Sequence, residues 1–199
     1  LLRRDPWLLS QTLMQILYLV PPALFLWISY GQSAGTYVVV IPVIVMAAGQ
    51  LAGGLSWLAI SGEDAHDLVV TAPIAPRTVL IAKIEAVLCA IAVVFAPLLL
   101  MVWIASFDLA WKTALFVAVS AGSATAIQLW FRVPMRRAMF RRRQVASRAA
   151  TISEALSSIM WAGTAVLFAG DQWLALLPGI LAVVVLVVAW AISPKGKRV

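Results

Sequence analysis

Long uncharged stretches alternate with short charged ones along the whole chain. From Pro6 to Gly62 no charged residue occurs, and 57 residues is too many for one membrane crossing of about 20 apolar residues but suits two joined by a tight turn. The turn is placed at Gly31-Gln32-Ser33-Ala34-Gly35, giving a first span over about 11–30 and a second over about 36–60. Charges then recur from Glu63 to Glu85. The uncharged run from Ala86 to Phe107 follows, so a third span covers about 79–104, with Lys83 and Glu85 near its start. A fourth runs over about 109–131. Beyond an arginine-rich stretch the apolar pattern resumes, broken only by Glu154 and by Gly170-Asp171-Gln172, which gives spans over about 149–169 and 174–193. The pattern therefore predicts an all-α fold: one transmembrane domain over 1–199, an integral membrane bundle of six helices. Pro21-Pro22 in the first span and Pro42 in the second remove backbone donors, so those helices are expected to kink or locally unwind.

The positions of Lys and Arg orient this bundle, because insertion retains positive loops in the cytoplasm. With the N-terminus inside, Arg3, Arg4, Arg77, Lys83, Arg132, Arg136, Arg137, Arg141, Arg142, Arg143, Arg148, Lys195, Lys197 and Arg198 all fall on the cytoplasmic side, and Lys112 alone falls outside. That split predicts a multi-pass protein of the plasma (inner) membrane with both termini cytoplasmic. Tryptophans agree: Trp7, Trp57, Trp130 and Trp190 lie near cytoplasmic span ends, and Trp27, Trp103, Trp111 and Trp173 near external ones. Trp161, inside the fifth span, is the exception.

Composition strengthens the membrane reading and excludes several chemistries. Hydrophobic residues make up 63% of the 199 and charged residues 12%, about half the usual charged fraction of a soluble domain. Mean hydropathy is +1.00. One Cys and one His exclude an internal disulfide framework, a Cys/His zinc site and a His-pair metal site, and no cofactor is implied. The net charge of +7 is explained by topology. Nucleic acid is not an expected partner, since no stacking platform or binding fold accompanies the arginines. No span carries the Ser nucleophile with a His base, or the acidic cluster, that an intramembrane enzyme needs. The chain also lacks a Gly-rich loop ending in Lys-Ser/Thr, so any ATP hydrolysis belongs to a partner.

The segment between the second and third spans carries its own pattern. Ala65, Leu68, Val69 and Ala72 recur at i, i+3, i+4 and i+7, with Glu63, Asp64, Asp67 and Thr71 on the opposite side. A short amphipathic helix is predicted over 63–72, with acids in its first turn and Pro73 as its stop. It is either an interfacial helix lying in the headgroups or a docking element for a soluble partner. A second short surface helix is predicted at about 4–10.

The run from Gly62-Glu63-Asp64 through Leu68 and Pro73 to Arg77 and Lys83 resembles the corresponding loop of type-2 ABC exporter permeases, and Leu1-Leu2-Arg3-Arg4-Asp5-Pro6-Trp7 looks like their amphipathic entry segment. The resemblance implies six spans per membrane domain, a coupling helix in this loop and a separate ATP-binding subunit. Glu63, Asp64, Asp67 and Leu68 become the expected partner contacts. It also implies two membrane halves around one path, as a homodimer or with the second half supplied by the rest of a longer chain. The start at Leu1 without Met fits the C-terminal part of such a longer permease. The alternative function is a small secondary carrier, channel or accessory scaffold without an ATPase.

Remaining candidates follow from residue type. Arg136, Arg137, Arg141, Arg142 and Arg143, interleaved with Met135, Met139 and Phe140, form an anchor for anionic lipids or a second partner contact. Glu85 and Glu154 are the acids nearest the hydrocarbon, with Lys83 and Arg148 as candidate ion-pair partners. Gly49 with Gly53, and Ala118 with Gly122 and Ala126, form two small-residue stripes for close helix packing. Gln15, Gln50, Ser120, Ser123, Gln128, Ser157 and Thr164 are candidates to line a path. His66 reads as a solvated loop residue and Cys89 as a small packing residue.

Overall fold

A computed structural model describes residues 36–61, 76–131 and 148–193. These residues form five helices: α1 (Thr36–Ser61), α2 (Pro76–Ala105), α3 (Phe107–Trp130), α4 (Arg148–Ala169) and α5 (Leu176–Ile192), the last preceded by a 3-10 turn at Trp173–Ala175. Among the described residues there is no strand. All five helical segments are long and apolar enough to cross a membrane. They match five of the six predicted spans to within a few residues. The predicted first span at 11–30, its turn, the surface helices at 4–10 and 63–72 with Glu63, Asp64, His66, Asp67 and Leu68, and the arginines 136, 137, 141, 142 and 143 lie outside the described residues.

Side-chain contacts fix the helix directions. Ser56 of α1 bonds Thr125 of α3, and Gly49 abuts Ser120, so α1 and α3 run parallel. Gly49 also abuts Ser158 and Gly53 abuts Glu154, so α4 runs antiparallel to both. Gly179 of α5 lies against Thr164, while Ala189 packs near Ala150, which makes α5 antiparallel to α4. The triangle α1–α3–α4 is the core, α2 packs on α1 and α3, and α5 packs chiefly on α4. Helix α1 is the most deeply buried of the described helices. Ile41, Ile44, Val45, Ala48, Leu51 and Ala52 are almost fully buried.

Helix α5, and α2 beyond Glu85, are apolar on all sides, and their outward residues, among them Val93, Leu100, Ile104, Leu177, Ile180 and Val187, are exposed. In water such a surface would aggregate; against lipid tails it costs nothing to leave uncovered. This is why neither helix needs a polar face. The local unwinding expected at Pro42 is not found: α1 runs unbroken through it, as α2 does through Pro97.

Two tight connections lie on one face of the bundle. Between α2 and α3 there is only Ser106, whose extended backbone (φ −162°, ψ 121°) reverses the chain and whose Oγ accepts from the Leu109 N–H. Asp108 then sits in the first turn of α3, where the helix dipole favours an acid. At the end of α4, the Gln172 N–H returns to the Leu167 carbonyl at 3.0 Å and Gly170 to Val166 at 3.1 Å. Asp171 takes the left-handed conformation that closes such a cap, with φ 53°. Asp is among the few non-glycine residues that tolerate it. On the opposite face α5 ends at Ser193, whose Oγ donates to the Trp190 carbonyl at 2.7 Å and whose extended backbone suits the position before Pro194.

Aromatic side chains mark both levels. Trp103, Trp111 and Trp173 stand exposed near the Asp171 face, while Trp57, Trp130 and Trp190 sit near the opposite one. Amphipathic rings at two levels are what a bilayer's two interfaces select.

Candidate functional site

Polar side chains collect along the line where α1, α3 and α4 meet. At about mid-height, Gly49 of α1 faces Ser120 of α3 and Ser158 of α4, and a Cβ at Gly49 would collide with both hydroxyl oxygens. One helical turn towards the opposite face, Gly53 lies against the Glu154 carboxylate just as closely. Gln128 of α3 donates from Nε2 to Glu154 Oε2 at 2.5 Å. Nearby, Ser56 Oγ donates to Thr125 Oγ1 at 3.1 Å. Glu154 is only 7% exposed, although it stands in the second turn of α4.

The seam exists because the first small-residue stripe lets two helices approach. Without a Cβ at positions 49 and 53, the backbone of α1 comes close enough for side chains from α3 and α4 to end against it. In a low-dielectric core a carboxylate is costly, and the Gln128 amide offsets part of that by donating to its charged form. The apolar neighbours Ala48, Leu51, Ala52, Ala121 and Ala124 exclude solvent around it.

Above the seam, towards the Asp171 face, the chemistry changes. Trp161 donates from Nε1 to Ser123 Oγ at 3.0 Å, which explains a tryptophan in mid-helix, away from both interfaces. Its ring packs on Phe116 (6.3 Å between centroids), and Phe116 meets Phe168 edge-on at 5.5 Å. Trp111 packs edge-on against Phe168 at 6.2 Å. Lys112 closes this end: its Nζ lies 5.7 Å from the Phe168 ring centre, 2.8 Å from Asp108 and 2.9 Å from Asp171. The ion pairs tie the start of α3 to the α4–α5 turn, with Lys112 buried and both acids solvent-facing. Trp111 Nε1 donates to Asp108 at 3.0 Å and holds that acid in place.

Of the residues singled out in the sequence, Ser120, Ser123, Gln128, Ser157 and Glu154 belong to this three-helix seam or its edge. Gln50 is half-buried on α1 and Gln15 lies outside the described residues. Thr164 satisfies itself on the Met160 carbonyl at 2.8 Å, on the α5 side of α4. Glu85 and Cys89 are exposed on α2. Gly49 and Gly53 occupy close approaches, whereas a Cβ at Gly122 would meet nothing within 4 Å among the described residues. The buried face of α3 runs instead through Val117, Ser120, Ala121 and Ala124, while Ala118 points outward. Ser56, Thr125 and Ser158 were missed. Their signal was helical spacing: Ser56 lies one turn beyond Gly53, and Ser158 one turn beyond Glu154.

Among the described residues no cluster of three or more His, Cys, Asp or Glu is placed to hold a metal ion. Among the described residues the seam offers hydroxyls, one amide and one carboxylate. No family model, no curated protein and no solved structure matches the chain.

Proposed function

We propose that this chain is the membrane-spanning permease part of an ATP-driven exporter of the ABC type, working with a separate ATP-binding subunit. The observation that carries the reading is the position of α1. It ends at Ser61, directly before the acidic segment 63–72, and it is the most deeply buried of the described helices, packed on α2, α3 and α4. Helix α2 begins directly after the same segment, at Pro76. A push on 63–72 is therefore delivered to the helix whose packing holds the polar seam together, and rigid-body movement of α1 and α2 repacks it. The seam in one half of the bundle and the aromatic cluster with its Lys112 clamp in the other give the two ends of a path different chemistry.

In this reading the Asp171 face is external, and 63–72, the arginines 136–143 and both termini face the cytoplasm across the plasma (inner) membrane. Asp64 and Asp67 meet cationic groups of the ATPase and Leu68 fills an apolar pocket. Arg136, Arg137, Arg141, Arg142 and Arg143 bind anionic lipid headgroups. The second membrane half is another copy or the rest of a longer chain. Charge reversal by D64K/D67K is expected to abolish ATP-coupled transport while leaving membrane insertion intact; full coupling in that variant would reject the role of the segment. A small secondary carrier is the second reading, favoured by one specific feature, the carboxylate of Glu154 within the helix core.

A further inference from the structure

One side of α1 is left open by its described neighbours. Helices α2, α3 and α4 pack on it, yet Val39 and Met46 are exposed and Val43 and Gln50 half-buried. Positions 39, 43, 46 and 50 recur at i, i+4, i+7 and i+11, so they form a single stripe. Valine and methionine cost nothing against lipid tails, but an amide does. Gln50 stands 14 residues from Thr36 and 11 from Ser61, about 16–21 Å from the ends of α1 at roughly 1.5 Å per residue, so its side chain does not reach water. Its amide bonds none of the described residues, in contrast to Gln128, which donates to Glu154. A glutamine at mid-height of a membrane helix calls for another helix, because lipid offers its donors and acceptor nothing.

We propose that this stripe is the docking face of the preceding segment of the same chain, 11–30, and that the Gln15 and Gln50 side-chain amides bond each other across the contact. The segment lies outside the described residues, and two observations single it out. Only 31–35 separate it from Thr36, and elements joined so tightly lie side by side. With α2, α3 and α4 on the other sides of α1, the open stripe is the face within its reach. The second observation is register. An antiparallel pair folded about Ser33 brings level the residues equally far from it. Gln15 lies 18 positions before Ser33 and Gln50 17 after it, an offset of about 1.5 Å that the long side chains absorb. Two facing amides satisfy each other, each donating an N–H and accepting through its carbonyl. A second copy of the protein would have to displace a helix held there at the high effective concentration of a short tether. Gln50 directly follows Gly49, so the pair sits beside the polar seam.

The test uses the intact chain in native membranes and needs no ATPase, so its outcome is separate from that of the exporter reading. In a Cys89→Ala background carrying a protease site within 31–35, Q15C/Q50C is oxidised with copper phenanthroline and then cleaved. The two fragments are expected to stay joined until a reductant is added. Q15C/V93C, with the second cysteine on the exposed side of α2, should let them separate. T12C and L19C, each combined with Q50C, cover a register shift of about one turn. Joining from either of these but not from Q15C overturns the amide pair and keeps the docking face. Joining through V93C instead of Q50C, no joining to Q50C from any of the three positions, or a disulfide-linked dimer from Q50C alone overturns the docking face itself; the dimer would show that a second copy covers it. Leucine substitutions read the amides without oxidation. If Gln50 faced lipid unpaired, Q50L would raise the unfolding midpoint. In a pair, Q15L and Q50L each strand the other amide and lower the midpoint, and Q15L/Q50L recovers the loss. Single variants that raise the midpoint overturn the pairing.

Discussion

Replacing each of two glycines, Gly49 and Gly122, by alanine separates close packing from helix propensity. Any Gly→Ala change within a helix contributes about 0.5–1 kcal/mol through the reduced entropy of the unfolded chain. At Gly122 nothing among the described residues opposes this gain, so Gly122→Ala should be neutral or stabilising. At Gly49 the new methyl would collide with Ser120 Oγ and Ser158 Oγ and come within 3.1 Å of Ser158 Cβ. The hydroxyls can rotate, but the Cβ belongs to a packed backbone, and overpacking of this kind costs about 1–3 kcal/mol. Because the propensity gain is common to both, the difference in stability between G49A and G122A isolates the overpacking. It should be about 1–3 kcal/mol in favour of G122A. Unfolding in mixed detergent–SDS micelles, followed by circular dichroism, measures it. Restoring room with S120A/S158A in the G49A background should recover most of the loss. If G49A and G122A agree within about 0.5 kcal/mol, which is the tolerance of additivity, the close approach of α1 to α3 and α4 is wrong.

Four further outcomes follow from the same geometry. A double-mutant cycle on Ser123→Ala and Trp161→Phe should give a coupling of about 0.6 kcal/mol, the average for interhelical hydrogen bonds in membranes; a coupling of zero would remove the Trp161–Ser123 bond from the account. At Asp171, Gly should keep the turn, whereas Ala should lower the unfolding midpoint by an amount equivalent to about 1 kcal/mol, since φ is 53° there; equal midpoints would argue against a left-handed residue. Lys112→Met should lower the midpoint most at low ionic strength, where its two ion pairs are least screened, and a salt-independent loss would point to packing alone. In a Cys89→Ala background, cysteines at Ser33, Asp108 and Asp171 should react with a membrane-impermeant thiol reagent from outside the cell, and cytoplasmic labelling at any of them would reject the orientation.

Five of the six predicted spans were readable because length and apolarity alone decide what a bilayer accepts, and the charges at Arg77, Lys83 and Arg148 marked their ends without any knowledge of packing. Which face of each span points inward was not readable. Helix α5, and α2 beyond Glu85, are apolar all round, so no periodic stripe distinguishes lipid from core. The two small-residue stripes show the consequence: Gly49–Gly53 and Ala118–Gly122–Ala126 have the same spacing, yet Gly49 and Gly53 lie against other described helices while a Cβ at Gly122 would meet none. Glu154 was identifiable as an acid near hydrocarbon, but its amide partner lies 26 residues away, on α3. Such a pairing is set by tertiary geometry and leaves no local signature. The Trp161 indole, unexplained by the interface rule, is explained once Ser123 is seen opposite it.

The measurement that bears most directly on the permease reading is isolation of the intact protein from native membranes in mild detergent, with ATPase activity assayed on the purified material. The account predicts that an ATP-hydrolysing subunit accompanies the chain and that D64K/D67K releases it while the membrane part stays folded. A chain that purifies without ATPase activity, and whose transport and stability do not respond to ATP, would contradict it.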